Sequence, residues 1–283
     1  MWTKGENKYG QLGDKTKHKK THFVLVIASE VAMVAAGGQH TVAVKKDGSL
    51  WCTGMNFFGQ LGDGKTKNSH IQFTQTIANN VKSVATGTFH TVVLKQDGSI
   101  WAAGANRHGQ LGDGTKKIII HSFKQVVAGG VRSVAASGFH TMLLKNDGSV
   151  WAAGQNRKYQ LGDGTSISRN RFVQVMASGV ESVSAGLAHS VILKKDTSVW
   201  AVGTSLLRQF GPNTKTTNSY FKKIVAGGVR AAVAGSSSIV LLKRDGSAWV
   251  TGSISQDRGQ MKSIDADGFF KQYTCKLQSS CDG

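Results

Sequence analysis

The chain has little proline, little cysteine and few acidic residues. A single proline among 283 residues, with 35 glycines and 40% hydrophobic residues, excludes a proline-rich disordered chain and favours a globular protein. Three cysteines are too few for a disulfide framework. We expect Cys52 to be a small core residue, whereas Cys275 and Cys281 could pair only if the compartment were oxidising.

Long apolar segments are missing as well. No apolar run approaches the roughly 20 residues that a membrane span needs, and residues 1–8 lack the apolar core of a signal peptide. The C-terminal Ser-Ser-Cys-Asp-Gly does not have the spacing of a prenylation signal. The sequence therefore predicts an intracellular protein, in the cytoplasm or the nucleus, without a transmembrane segment.

Catalytic motifs are absent too. The sequence contains neither a Gly-x-Ser-x-Gly nucleophile elbow nor a His-Glu-x-x-His metal motif, and no carboxylate pair stands out on one distinctive unit. The recurring Leu-Gly-Asp sequence offers one carboxylate per loop, whereas calcium takes about six to eight oxygens. We therefore expect no catalytic residues, no metal and no cofactor, so the protein is predicted not to be an enzyme.

What the chain does have is a repeat. Its tryptophans recur at steps of 49 or 50 residues, and a ladder of phenylalanines runs in step with them. The tryptophans are Trp2, Trp51, Trp101, Trp151, Trp200 and Trp249, and the phenylalanines are Phe23, Phe73, Phe123, Phe172, Phe221 and Phe270. Two aromatic ladders with one period indicate an array of like structural units, which these residues hold together.

Each unit predicts four short strands, because apolar runs rich in Val, Ala and Leu are broken by turn residues about every ten positions. In the third complete unit the strands are Phe123–Val127, Val131–Ala135, Thr141–Lys145 and Ser149–Ala153. An Asp-Gly hairpin joins the last two strands in most units. Asp196-Thr197 is the exception, where we expect a strained turn or another turn type. Four antiparallel strands are typical of a β-propeller blade, with Trp packed between neighbouring blades.

The recurring sequence resembles the regulator of chromosome condensation repeat. The shared motif reads Val-x-Ser-Val-Ala-Ala-Gly-x-x-His-Thr-x-x-Leu-Lys-x-Asp-Gly-Ser-x-Trp-Ala-x-Gly-x-Asn-x-x-Gly-Gln-Leu-Gly-Asp-Gly-Thr. It is nearly whole at 81–115 and 131–165, eroded at 31–66, and decayed at 180–212 and 229–261. The resemblance covers essentially the whole chain.

This resemblance implies an all-β propeller, for which seven blades are usual in the family. The chain departs from that number, because it has five complete Phe-to-Phe units flanked by terminal half units. We expect about six four-stranded blades, with the propeller over residues 1–274 and a C-terminal tail over residues 275–283. The two ends could together close the sixth blade; an open arc and a truncated gene product are the alternatives.

A ladder of histidines occupies one position in four successive units: His40, His90, His140 and His189. Because each unit contributes one histidine, the four cannot converge within about 2 Å of one metal ion. We expect them to be structural, each ring bonded to the long loop beside it so that buried polar groups are satisfied.

The scarcity of acidic residues leaves a strong positive charge: 35 Lys and Arg against 16 Asp and Glu give a net charge of +19. This balance predicts a polyanion or an acidic protein as the partner. Antiparallel strands place the long Gly-Gln-Leu-Gly-Asp loops and the Gly-x-x-His turns on one face, called here the long-loop face. The opposite face, called the hairpin face, carries the Lys-x-Asp-Gly and Ala-Gly-Gly turns.

The long loops hold 16 basic residues against five acidic ones, so the long-loop face is the predicted partner-binding face. The predicted binding residues are Lys15, Lys17, Lys19, Lys20, Lys65, Lys67, Arg107, Lys116, Lys117, Arg157, Lys158, Arg169 and Arg171; Lys8, Arg208 and Lys215 complete the set. Aromatic residues in the same loops favour a contact surface: Tyr9, Phe57, Phe58 and Tyr159. A surface that is merely kept soluble by its charge is the alternative.

Three functions fit these features. The first is a monomeric, non-enzymatic binding scaffold that docks an acidic protein or a small GTPase. The second, implied by the resemblance, is guanine-nucleotide exchange on a Ran-type small GTPase, although the uniform units contain no insertion to act as a wedge. The third is attachment to chromatin or DNA, which the charge favours and the lack of a long basic arm weakens. The run 15–20 also resembles a nuclear-import signal.

Overall fold

The computed structural model describes residues 1–65, 69–115, 117–205, 208–211 and 216–252, and the backbone of residues 271–273. Within these ranges the chain forms 22 strands, which lie in five four-stranded sheets and one two-stranded sheet. All sheets pair antiparallel. This confirms the predicted all-β fold of repeated blades and the predicted count of about six.

The strands follow in chain order. The half blade contains β1 (Trp2–Gly5) and β2 (Lys20–Leu25). Blade 1 contains β3 (Val31–Ala36), β4 (His40–Lys45), β5 (Leu50–Gly54) and β6 (His70–Ile77). Blade 2 contains β7 (Val81–Thr86), β8 (His90–Lys95), β9 (Ile100–Ala105) and β10 (Ile119–Val127).

The remaining blades repeat this pattern. Blade 3 contains β11 (Val131–Ser137), β12 (His140–Lys145), β13 (Val150–Gly154) and β14 (Arg169–Met176). Blade 4 contains β15 (Val180–Ala185), β16 (His189–Lys194), β17 (Val199–Thr204) and β18 (Thr217–Val225). Blade 5 contains β19 (Val229–Ala234), β20 (Ser238–Lys243), β21 (Ala248–Gly252) and β22 (Lys271–Tyr273).

The fourth strand of each blade comes from the next sequence unit. In blade 2 the strand that holds Phe123 pairs with β9, where Gln125 lies opposite Trp101. The predicted grouping of Phe123–Val127 with Val131–Ala135 in one sheet was therefore wrong. The first strands of successive blades contact one another, as β7 contacts β11 and β11 contacts β15. After β10 the chain thus leaves one blade and starts the next, so that every unit links two blades.

The core lies between neighbouring blades, because the second and third strands are covered on both sides. Val92 and Ile100 of blade 2 form one cluster with Val131 and Leu143 of blade 3, and Trp151 packs against it. Trp101, Trp200 and Trp249 pack against the corresponding clusters of their own blade pairs. Each such aliphatic side chain contributes about 1.5–3 kcal/mol when fully buried. The predicted position of Trp between blades is confirmed for these four residues, whereas Trp2 of the half blade is 60% exposed.

Cys52 is a core residue, as predicted. It is fully buried in the cluster of blade 1 with Val42 and Leu61. Burial raises the pKa of its thiol to about 12, because a thiolate would lose its hydration there. Phe270, Cys275 and Cys281 lie outside the described residues, and closure of a sixth blade by the two chain ends stays a prediction.

Each hairpin between the second and third strands contains one residue with a left-handed backbone conformation. Gly48, Gly98, Gly148 and Gly246 have φ between 78° and 84°. In blade 4 the same position is held by Thr197, whose φ is 68°. A β-branched residue is strained in this region, because its side chain crowds the backbone. The predicted strain at Asp196-Thr197 is therefore present, although the turn is of the same kind.

Thr197→Gly should stabilise the protein by about 1 kcal/mol, since left-handed backbone costs a non-glycine residue about 1–2 kcal/mol. The variant loses the hydrogen bond that the Thr197 hydroxyl accepts from the Gly228 amide, but that bond is exposed to solvent and of small net value. Urea titration of tryptophan fluorescence measures the gain. Gly148→Thr, the reverse change in blade 3, should lose a similar amount; stability unchanged in both would contradict the prediction.

Candidate binding face

Backbone hydrogen bonds define the two faces. On the long-loop face the amide of Met55, at the start of a long loop, donates to the carbonyl of Gln39 in a Gly-x-x-His turn at 2.8 Å. The equivalent bond from Ala105 to Phe89 is also 2.8 Å long. On the hairpin face the amide of Val81 donates to the carbonyl of Gly48 at 3.0 Å. The loops and turns therefore segregate as the strand directions predict.

Each long loop is closed around an asparagine. The Asn56 side chain accepts a hydrogen bond from the Leu61 amide at 3.0 Å and donates one to the Asp63 carboxylate at 2.9 Å. The carboxylate in turn accepts from the Lys65 amide at 3.0 Å. The same bonds recur at Asn7, Asn106 and Asn156. The Leu-Gly-Asp aspartates therefore accept backbone hydrogen bonds within their own loops.

The long loops are also fixed to the next blade by the phenylalanine ladder. Phe123 of blade 2 lies against Gly62 in the long loop of blade 1, so closely that a Cβ on Gly62 would overlap the ring. The amide of Gly64 donates to the carbonyl of His121 at 3.1 Å, and Asp63 bridges to Ser122. Sequence reasoning missed this contact, although the shared period of the Phe ladder and the loop glycines was a usable signal.

The histidine ladder links neighbouring blades through hydroxyl groups. Nε2 of His40, His90 and His140 lies 2.9, 3.1 and 2.8 Å from the hydroxyls of Thr91, Thr141 and Ser190. Each hydroxyl donates its own proton to a loop carbonyl, as Thr141 does to Gln110 at 2.7 Å. The hydroxyl therefore accepts from the ring, which assigns the proton to Nε2.

For His40, His90 and His140 the expected direct bond to the long loop is replaced by two bonds through a hydroxyl group. A hydroxyl of the next blade stands between the ring and the loop, because the second strand of that blade fills the space between them. In blade 5 Ile239 stands where Ser190 stands in blade 4, so this ladder stops at His189. These bonds support the structural role of His40, His90 and His140, and burial supports it for all four histidines, which are at most 1% exposed.

Burial keeps these rings neutral. The pKa of His40 and of His189 is lowered to about 4, and that of His90 and of His140 to about 3. The cause in every case is loss of hydration, which disfavours the charged ring. For His90 the neighbouring rings of His40 and His140 add to the effect.

The acidic groups of the long loops point inward. The side chains of Asp14, Asp63, Asp113 and Asp163 are 1–8% exposed, and each pairs with a base. The partners are Lys20 at 3.2 Å, His70 at 3.0 Å, Lys124 at 3.3 Å and Arg169 at 2.7 Å. Lys20 and Arg169 were predicted to bind a partner, and the structure shows that both already neutralise a loop aspartate.

Hydrogen bonds explain why the carboxylates of Asp14, Asp113 and Asp163 stay charged. For Asp113, burial would raise the pKa, but the bonds from Thr115, Lys124 and Asn106 outweigh it and lower the pKa. Asp163 follows the same pattern with Thr165 and Arg169. Ionised aspartates inside the loops therefore order the loops without presenting negative charge on the surface.

Most other basic residues of the long-loop face are exposed, unlike Lys20 and Arg169. Those that are exposed are Lys15, Lys17, Lys19, Lys65, Arg107, Lys117, Arg157, Lys158 and Arg171, with Lys8 beside them. Lys19 pairs with the exposed Glu6 at 2.5 Å. Lys67 and Lys116 lie outside the described residues. The pKa of His108 is lowered, first by burial and then by the neighbouring charges of Arg107 and Arg157.

The hairpin face uses its lysines differently. A lysine six residues before five of the six tryptophans holds its ammonium over the indole ring, at 3.9–4.3 Å from the centroid. The pairs are Lys45 with Trp51, Lys95 with Trp101, Lys145 with Trp151, Lys194 with Trp200 and Lys243 with Trp249. Such contacts contribute about 0.5–1 kcal/mol each. The constant Lys–Trp spacing is a signal that sequence reasoning overlooked.

Comparison with known proteins decides the family. The model of the RCC1-like domain matches residues 1–274. The chain belongs to the RCC1-like domain family. Over the described residues, no helix is long and apolar enough to cross a membrane, and no group of three or more His, Cys, Asp or Glu could hold a metal ion.

Two solved structures share the fold of this RCC1-like chain. Human WBSCR16 superimposes with a TM-score of 0.80 at 19% identity, over 96% of this chain and 78% of WBSCR16. Prp20p from Saccharomyces cerevisiae superimposes with a TM-score of 0.78 at 20% identity, over 96% of this chain and 72% of Prp20p. Its structure is described together with its binding properties to Gsp1p and histones.

The ultraviolet-B receptor UVR8 of Arabidopsis thaliana is 37% identical over 67 residues, which span 23% of this chain and 15% of the receptor.

Proposed function

We propose that this RCC1-like domain is a non-enzymatic, monomeric binding scaffold whose long-loop face docks an acidic protein. One observation carries the proposal: the loop aspartates are buried and paired, whereas the loop lysines and arginines are exposed. The negative charges of the loops therefore lie below the surface and the positive charges lie at it, although a count of charged residues would set one against the other. The surface a partner meets is more basic than the loop sequences alone indicate, and such a surface steers acidic partners toward it.

The scaffold itself supports the role. Every long loop is closed by its asparagine and seated on the next blade, so the exposed bases project from ordered backbone. A site built on a preorganised frame loses little conformational entropy on binding. The partner then needs only a complementary acidic surface.

A small GTPase is the second candidate partner. The observation that favours it is the fold shared with Prp20p, whose description names Gsp1p and histones. The units of this chain are uniform at 49 or 50 residues and contain no insertion that could act as the wedge of an exchange factor. We therefore propose GTPase docking ahead of nucleotide exchange, and place chromatin or DNA binding third.

Replacing Arg107, Lys117, Arg157 and Lys158 with Glu should weaken binding to an acidic protein by at least about a hundredfold, because four attractive charges become repulsive. Labelled polyglutamate serves as the probe, in fluorescence anisotropy at several salt concentrations. The matched control reverses four exposed bases of the hairpin face: Lys82, Lys195, Arg230 and Arg244.

The outcomes separate the candidates. A long-loop variant that keeps its affinity, or a hairpin-face variant that loses as much, would remove the long-loop face from consideration. Tighter binding of duplex DNA than of polyglutamate, with log affinity falling by about 0.9 per phosphate contact against log salt, would favour nucleic acid. Capture of a purified small GTPase only in its nucleotide-free form would favour exchange.

A further inference from the structure

Two repeat positions on the long-loop face vary while their surroundings stay constant. The residue before the ladder position, which is His in blades 1 to 4 and Ser in blade 5, is Gln39, Phe89, Phe139, Ala188 and Ser237 in turn. The residue two places after the loop asparagine is Tyr9, Phe58, His108 and Lys158 in the half blade and blades 1 to 3. Aromatic side chains therefore lie together in one sector of the face, at positions where other units have non-aromatic residues.

The structure joins these aromatic residues into one cluster. The ring of Phe58 lies 4.8 Å from that of Phe89, which lies 6.2 Å from Phe139. His108 meets Phe139 edge to face at 5.3 Å. These residues come from the loops of blades 1 and 2 and the turns of blades 2 and 3. The cluster thus forms only when three blades are assembled side by side.

A cavity of about 310 Å³ lies at this cluster, and we call it the aromatic pocket. It is lined by Phe58, Phe89, His108, Phe139, Ile118 and Arg107. Ile118 is 61% exposed at its edge and adds apolar surface there. Arg107 is exposed at the rim, and Arg157 and Lys158 project from the neighbouring loop.

We infer that the aromatic pocket is the specificity site of the proposed docking face, and that it receives one bulky apolar side chain of an acidic peptide segment. This inference rests on the proposed function, which supplies the electrostatic attraction. The pocket adds an anchor: an apolar side chain among desolvated rings, surrounded by charged contacts, is the arrangement of an interaction hot spot. The basic rim then pairs with acidic residues on either side of the anchor.

The ring geometry favours a peptide over single-stranded nucleic acid. Successive bases need aromatic faces that lie side by side as platforms. Here the rings are tilted against one another by 47° and 49°, and His108 stands at 73° to Phe139. Such rings enclose a concave space instead of offering a row of parallel surfaces. One leucine or phenylalanine side chain suits that space.

The repeat itself supplies variants that should fold. Phe139→Ala places in blade 3 the residue that blade 4 has as Ala188, and Phe89→Gln places in blade 2 the residue that blade 1 has as Gln39. The turn residue bonds the long loop through its carbonyl, so the backbone contact survives both changes. Phe57→Ala is the matched control, because Phe57 is 44% exposed on the same face and does not line the pocket.

Four labelled probes test the inference by fluorescence anisotropy. They are an Asp/Glu-rich peptide with one central Leu, the same peptide with Gln for Leu, a neutral Asn/Gln-rich peptide with the Leu, and oligo-dT. We expect the acidic Leu peptide to bind best, and loss of the Leu or Phe139→Ala to weaken it by about tenfold or more. Phe57→Ala should change its affinity less than about twofold.

Failure of the inference can be told from failure of the proposed function. If the Leu and Gln peptides bind equally and Phe139→Ala has no effect, while reversal of the four loop bases still abolishes binding, the pocket is overturned and the docking face stands. If no acidic peptide binds, both the pocket inference and the proposed docking function are contradicted. If oligo-dT binds more tightly than the peptides and depends on Phe89 and Phe139, the occupant is a base and the peptide assignment is overturned.

Discussion

Acidification from pH 7 to pH 5 should destabilise the folded chain by about 7 kcal/mol, through the four ladder histidines alone. Their folded pKa values of about 3 to 4 lie below the ordinary value of 6.5. Between these values the unfolded chain binds protons that the folded chain cannot accept. Stability is therefore fully present above about pH 6.5, and it is lost as the pH falls toward the folded pKa.

The pH range in which stability is lost identifies the groups that cause the loss. Each histidine contributes about 2 kcal/mol between pH 7 and pH 5. Asp14, Asp113 and Asp163 have lowered pKa values, so their contribution is present above the ordinary value of 3.8 and is lost only below it. A loss that is already large at pH 5 thus comes from the histidines.

Urea unfolding of tryptophan fluorescence at several pH values measures this dependence, and calorimetry in buffers of different ionisation enthalpy counts the protons taken up. Replacing His140 with Asn should reduce the slope of stability against pH by about a quarter, since one of four groups no longer titrates. A stability that is flat from pH 7 to pH 5 would show that the rings are hydrated and accept protons in the folded state.

Gly87→Ala should destabilise the protein by about 3 kcal/mol, which is near the upper end of the usual cost of overpacking a well-packed site. A Cβ on Gly87 would overlap Cε1 and Nδ1 of the His90 ring. The ring cannot move aside, because its Nε2 bonds to Thr141 and that hydroxyl bonds to Gln110. Chemical denaturation of the variant at pH 7 measures the loss.

Blade 3 provides the control for this prediction. Its turn has Ser137 where blade 2 has Gly87, and Gly138 where blade 2 has Thr88. There β11 extends to Ser137, and Gly138 takes a φ of 49°. The double change Gly87→Ser with Thr88→Gly should therefore recover most of the stability, by switching the turn to the form of blade 3. A double variant as unstable as Gly87→Ala would mean that the collision with His90 is not the cause.

Much of this fold follows from local patterns. The Asp-Gly hairpins, the alternating short strands and the 49–50-residue period depend on residues that are near one another in the chain. The same holds for the loop asparagine and aspartate, which are seven residues apart. Strain at Thr197 was predictable as well, because a hairpin position that needs a left-handed residue has the same requirement in every unit.

The errors in the sequence reasoning concern contacts between units. The Phe123 strand was assigned to the wrong sheet, because both neighbouring strands are short, apolar and equally near in sequence. The histidines were expected to reach the loops directly, whereas a hydroxyl some 50 residues away stands between them. In an array of like units, several pairings satisfy the same local pattern, and only the packed blades distinguish among them.

By itself the sequence determined the repeat, the strand content, the positive charge and the separation of two faces, because each is set by composition or by residues within one unit. Only the tertiary structure decided which unit supplies the fourth strand of each blade. It also decided that the loop aspartates are buried beneath exposed bases, and that Phe58, Phe89 and Phe139 enclose one pocket. These depend on side chains of different blades meeting at close range, which no spacing along a single unit specifies.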